Sequence, residues 1–201
     1  MCQYSAEDGF ANEWHLVHLG SRAVGGAGLI ISEASAVSPE GRITPGDIGI
    51  WEDQHITALK RITSFIHNHG CAAGIQLAHA GRKASCHLPW KGGMQLHSDA
   101  GGWQTVAPSK VPYRAEDSLP VILTESGIQK VIADFANAAG RALVAGYKVL
   151  EIHAAHGYLL HEFLSPFSNH RKDQYGGSFD NRSRLLMQVV DAVKSEWPAE
   201  N

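Results

Sequence analysis

Gly25-Gly26-Ala27-Gly28-Leu29-Ile30-Ile31-Ser32-Glu33-Ala34 is the stretch whose reading decides the fold. From Ala27 to Ala34 it is a near-continuous apolar run, the pattern of a strand buried on both faces. The glycines stand in front of that strand and close the helix Asn12 to Val24. A dinucleotide-binding turn places its glycines after a strand, where they open a helix. The doubly wound sheet therefore loses its main support, and the expected architecture is an α/β fold of the (β/α)8 barrel type.

Outward from that strand the alternation repeats. Asp53 to His69 carries Ile56, Leu59, Ile62 and Ile66 on one stripe and stops at Gly70. A second strand runs from Ala73 to His79. Ser126-Gly127-Ile128-Gln129 fits a capping box for a helix with Ile128, Val131, Ile132, Phe135, Ala139 and Leu143 inward and its stop at Gly146. A third strand spans Lys148 to Ala154. The last helix starts near Asn181, buries Leu185, Leu186, Val189, Val190 and Val193, and ends before Pro198. Between Gly81 and Pro120 there is no periodicity, and so long a loop is usually functional. Nothing divides the chain, so residues 1–201 read as one domain.

Composition narrows the function classes. With 44% hydrophobic and 18% charged residues the chain is globular. A formal net charge of -3 and the lack of a Lys/Arg cluster leave nothing to neutralise phosphates, so nucleic acid is not an expected partner. The longest apolar run, Ala27 to Ile31, is far short of the ~20 residues that span a bilayer, and no basic start precedes an apolar signal region. A cytoplasmic protein without a membrane partner is expected. Cys2, Cys71 and Cys86 lack C-x-x-C spacing, which argues against a disulfide framework or a zinc site. The Asn181-Arg182-Ser183 sequon then reads as accidental.

Chemistry in a barrel gathers at the C-terminal ends of strands. There stand Glu33 and Ala34, Gln76 and His79, and Glu151 and His153. Strand alternation turns Leu150 and Ile152 toward the helices and Glu151 and His153 inward. His156 and Tyr158 follow in the loop above. Two imidazoles and a phenol converging there are suited to hold a carbonyl oxygen and hand over a proton. H-x-x-H is a weak pattern, however, and recurs at His15 and His18, which read as a structural helix face. A metal site built from His153, His156 and His161 meets the same spacing, since imidazole is a common zinc ligand. Spacing alone leaves metal ligand, oxyanion contact and structural histidine level.

A longer pattern bears on that choice. His153-Ala154-Ala155-His156-Gly157-Tyr158, Ser165-Pro166, Asn169, Arg171, Tyr175-Gly176-Gly177-Ser178 and Asn181-Arg182 follow in order. Upstream stand Met1-Cys2-Gln3-Tyr4, Glu33-Ala34-Ser35-Ala36-Val37, Gly41-Arg42-Ile43-Thr44 and Ile75 to Lys83. Together these blocks resemble the Old Yellow Enzymes, in the bacterial branch that includes the xenobiotic reductases.

The resemblance implies FMN over the barrel mouth, reduction by NADPH or NADH, and hydride transfer to the C=C bond of an α,β-unsaturated carbonyl or nitro compound. It assigns His153 and His156 to the substrate oxygen, Tyr158 to proton delivery and Tyr4 to the substrate pocket. Gln76 and Ala34 fall to the flavin, and Cys2 to its tuning. No metal is implied. Arg82 and Lys83 stay outside the catalytic set as loop anchors. Measured against the family, the chain is expected to supply about strands 2–4 and helices 1–4, without the first strand, the carboxy-terminal half or the phosphate loops. A partial barrel of that kind is expected to be inactive alone. The oligomeric state of the whole protein stays open, with a homo-oligomer one option.

Overall fold

The computed structural model describes residues 1–198; the last three residues of the expected 1–201 domain, 199–201, lie outside the described residues. Helix α1, Glu13–Val24, is opened by Asn12, whose side chain accepts from Trp14 N while His15 Nδ1 accepts from Asn12 N. His15 is thus a capping residue, as the structural reading expected. Strand β1, Leu29–Ala36, begins two residues later and ends two later than the apolar run predicted. Helix α2, His55–Asn68, and strand β2, Ala72–Ala78, follow.

The loop after β2 is more ordered than its sequence indicates. It contains three 3-10 turns, at Gly81–Lys83, Pro89–Lys91 and Ser98–Ala100. Two-residue strands β3, Val106–Ala107, and β4, Val121–Ile122, pair in parallel. Helix α3, Glu125–Val144, then leads to β5, Val149–Ile152. The expected cap at Ser126 is displaced: Thr124 is the N-cap, and its hydroxyl accepts from Gly127 N at 3.2 Å. A short helix α4, Leu159–Leu164, precedes α5, Phe179–Glu196, which Ser178 caps.

β1, β2 and β5 form one parallel sheet in the order β1-β2-β5. Helices cover one face of it. Ile30, Ala73, Ile75 and Leu77 pack with Leu59, Ile62, Ile66, Phe135 and Leu159 in the core. The other face is partly open among the described residues, which corrects the expectation of a first strand buried on both sides. Leu29 and Ile31 are 46% and 42% exposed. They point to the side that no described helix covers, whereas their neighbour Ile30 points to the core. The register slips between Ile31 and Ala34, where two residues of β1, Ser32 and Glu33, face one of β2, Ile75. Such a bulge re-aims side chains near the end of a strand, and here it lies beside Glu33. No described helix is long and apolar enough to cross a membrane.

Candidate active site

The three strands end side by side, with Ala34 paired to Gln76 and Gln76 to Glu151. Above them lies a cavity of ≈ 450 Å³. Cys2, Tyr4, Ala34, Gln76, His153, His156 and Tyr158 all border it, so every side chain singled out by the resemblance is brought to one place. Gln76 Nε2 donates to Glu151 Oε1 at 3.0 Å, while Gln76 Oε1 has no protein donor among the described residues. A larger depression, ≈ 680 Å³, lies apart, between Ser109 and Arg171.

The two histidines are bonded to each other. Ala155 N donates to His153 Nδ1 at 3.3 Å, which leaves the proton of the neutral ring on Nε2. His153 Nε2 lies 3.2 Å from His156 Nδ1 and donates to it. The remaining N–H of the pair is His156 Nε2. Burial, and then the neighbouring His156, pushes the His153 pKa below its ordinary value, so the neutral form is favoured. The Tyr158 ring lies 4.7 Å from that of His153, tilted by 37°, and burial raises its phenol well above the usual range. Tyr158 therefore keeps its proton until something takes it. Burial likewise pushes the Tyr4 phenol and the Cys2 thiol up to about 12 each. Tyr4 and His156 both sit in the left-handed region, at φ 52° and 58°. A bulky non-glycine residue held there is strained, and such strain clusters at functional sites.

Two residues outside the expected set hold the loops in place. Lys83 Nζ donates to the carbonyl of His156 at 2.7 Å, which ties the turn Gly81–Lys83 to the histidine loop. Glu162 of α4 is 1% exposed and its Oε1 accepts from Arg82 N at 2.9 Å. Its Oε2 has no partner among the described residues, and burial pushes its carboxyl up to about 8. Gly81, at φ 61°, is required beneath it, since a Cβ there would fall 2.2 Å from Glu162 Oε1. An acid inside the apolar run Leu159–Leu164 was the one signal in the sequence that could have marked Glu162.

His161 does not join the histidine pair. Its Nδ1 accepts from Gly157 N at 2.8 Å. Among the described residues no three His, Cys, Asp or Glu side chains are placed to hold a metal ion. The zinc reading of His153, His156 and His161 is corrected on that geometry: the third imidazole is spent on closing the turn.

Comparison with known proteins fixes the family and the fold. The model of the NADH:flavin oxidoreductase / NADH oxidase family matches residues 1–200. The chain belongs to this family. An NADH:flavin oxidoreductase of Gibberella zeae is 51% identical over 98% of the chain, which spans 49% of that relative. An NADPH dehydrogenase of Listeria innocua is 50% identical over 98% of the chain and 54% of its own length. Among solved structures, morphinone reductase aligns with a TM-score of 0.84 at 33% identity, over 97% of this chain and 53% of that one. An Old Yellow Enzyme from Pichia sp. AKU4542 aligns at 0.85 with 30% identity, over 98% and 51%. The chain thus spans about half the length of the curated relatives it matches, and its open parallel sheet is part of a (β/α)8 barrel.

In this chain much of the signature block is structural. Asn169 Nδ2 donates to the carbonyls of Phe163 and Tyr175, both at 2.7 Å. Arg171 Nη1 donates to the carbonyl of Leu123 at 2.6 Å, and Arg182 Nε to that of Leu164 at 2.8 Å. These bonds fold the segment after α4 onto α3 and α5. Of the block, His153, His156 and Tyr158 border the strand-end cavity.

Proposed function

We propose that the chain supplies the substrate face and part of the flavin face of an FMN-dependent ene-reductase, which takes hydride from NADPH or NADH. Its acceptor would be the C=C bond of an α,β-unsaturated carbonyl or nitro compound. The observation that carries the reading is the convergence of the His153–His156 pair and Tyr158 on the cavity floored by Ala34 and Gln76.

The residues present fit a flavin ring. Ala34 ends its strand with only a methyl group, so a flat ring can approach the backbone. The free Gln76 Oε1 and the amide protons beside it can serve the mixed donor and acceptor edge of a pyrimidine. Cys2, held as a neutral thiol, adds a polarisable neighbour without a charge. No Lys or Arg among the described residues borders this cavity, so these residues hold the ring rather than the phosphate. Bound there, FMN would supply the hydride.

The chain's own residues would do the rest. Hydride arriving at the β carbon drives charge onto the carbonyl oxygen, where the His156 Nε2–H is available to donate. His153 can add a second donor by exchanging its bond to His156 for one to the substrate; until then it fixes the His156 tautomer. One lost donor of this kind costs ~3 to 4 kcal/mol. Tyr158, kept protonated by burial, delivers a proton to the α carbon.

Stopped-flow measurement of the two half-reactions in the whole protein tests this reading. Tyr158→Phe should slow reduction of an enone by roughly 10² to 10⁴-fold while leaving reduction by NADPH nearly unchanged. Equal slowing of both halves would count against the proton-donor role.

A further inference from the structure

A second cavity of ≈ 240 Å³ adjoins the strand-end cavity, and Tyr4, His156 and Tyr158 form the wall common to both. The charges lining the two are opposite. Glu33 and Glu151 border the larger one; Lys83 and Arg114 border the smaller, which has no Asp or Glu in its lining. Neither cation forms an ion pair among the described residues.

Both cations keep unused donors. Lys83 Nζ gives one of its three protons to the His156 carbonyl. Arg114 Nη1 serves the Gly93 carbonyl at 3.2 Å and the Met94 sulfur at 3.1 Å, which leaves Nε and Nη2 without a protein acceptor among the described residues. Both lie over the Tyr113 ring, 4.3 and 5.5 Å from its centroid. The electron-rich ring favours a cation in each of these positions. Half-buried cations with idle donors and no side-chain ion pair suit an anionic group, even with the Asp117 carboxylate accepting from Arg114 N at 3.0 Å, and a guanidinium fork matches a carboxylate in particular.

We propose that the smaller cavity binds a carboxylate carried by the substrate itself. The reducible head lies at His156 and Tyr158, and the anionic tail reaches Arg114 and Lys83. The substrate class is then an unsaturated carbonyl compound bearing a second, ionised acid group. This assignment rests on the reading of His156 and Tyr158 as substrate contacts. The phosphates of the nicotinamide dinucleotide share the same anionic chemistry, so the test separates the two sources.

Calorimetric titration of the whole flavoprotein with 4-hydroxybenzoate and with its methyl ester provides that test. Wild-type protein should bind the acid about tenfold more tightly than the ester, as for one added hydrogen bond to a charged group. The preference should fall toward unity in Arg114→Met, with the ester's affinity held, and Arg114→Lys should restore part of it. An unchanged acid-to-ester ratio in both Arg114→Met and Lys83→Met overturns the proposal. An unchanged ratio combined with a raised KM for NADPH also overturns it and gives the cavity to the dinucleotide's phosphates. His156→Ala should weaken acid and ester alike while keeping their ratio. Should it leave both affinities untouched, the head placement fails and with it the proposed function, an outcome distinct from failure of the charged tail site.

Discussion

Glu162 is held where a carboxylate is costly, and the sign of its pH effect follows from that. Its ordinary pKa of 4.5 is pushed up to about 8 by burial. The folded state therefore keeps a proton that the unfolded state has released, and stability falls as the pH rises between those two values. Glu162's contribution is fully present below pH 4.5 and is lost on the way to pH 8. Glu162→Gln mimics the protonated acid and removes this loss. Thermal unfolding should give the two proteins similar Tm values at pH 5 and a higher Tm for the variant at pH 8, a stability gain on the order of 1 kcal/mol or more. The shifts at Glu33 and Asp47 are common to both proteins and cancel. An equal gap at both pH values would show that Glu162 is ionised throughout. At this scale what was legible was that residues of a family pattern, such as Gln76, His156 and Tyr158, would border one cavity. It was silent on what depends on third parties: the bond between His153 and His156, and the tie from Lys83 to the His156 carbonyl.

Helix starts illustrate how elements can be read correctly and bounded wrongly. Thr124 and Ser126 both offer a capping hydroxyl two residues apart, and only the backbone decides between them. Thr124 is extended and bonds Gly127 N, while the Ser126 hydroxyl reaches only Thr124 Oγ1, at 2.9 Å. Thr124→Ala should cost ~1 kcal/mol of stability and Ser126→Ala a small fraction of that. Denaturant melts of the two variants check it, and the reverse order would restore the cap at Ser126. α1, α2, α3 and α5 were legible because each carries an apolar stripe over three turns or more. α4 has only six residues, and β3 and β4 have two each, too few for any period to show. Their order comes from distant partners such as Ser109, Glu162 and Arg171.

At the scale of the molecule, the β1-β2-β5 sheet leaves β1 and β5 without an outer neighbour in that sheet among the described residues. A depression of ≈ 390 Å³ between Leu150, Ile152, Val193 and Trp197 lies beside β5. Unpaired strand edges next to apolar surface invite association. The 201-residue chain expressed by itself should therefore run as oligomers or aggregate in size-exclusion chromatography. It should also lose FMN on desalting, because the described lining of the strand-end cavity, where the flavin is proposed to sit, holds no Lys or Arg for a phosphate. Each missing hydrogen bond to a charged group forfeits ~1.5 to 3 kcal/mol. A monomeric, yellow chain would show that these residues grip the cofactor unaided. The barrel class was legible because the alternation of strands and helices survives in any part of it. The open inner face was not, since Leu29 and Ile31 are apolar whether covered or bare.

The left-handed backbone at Tyr4 and His156 has a consequence for anyone making libraries of this protein. At most helical or extended positions glycine is filtered out because it loosens the fold. At these two it relieves a strained φ, which offsets the extra freedom it brings to the unfolded chain. Collections sorted only for folding or heat resistance should therefore admit Tyr4→Gly and His156→Gly without complaint, and accumulate well-behaved proteins stripped of their imidazole donor. Sorting for ligand binding alongside stability is what keeps those two side chains in place.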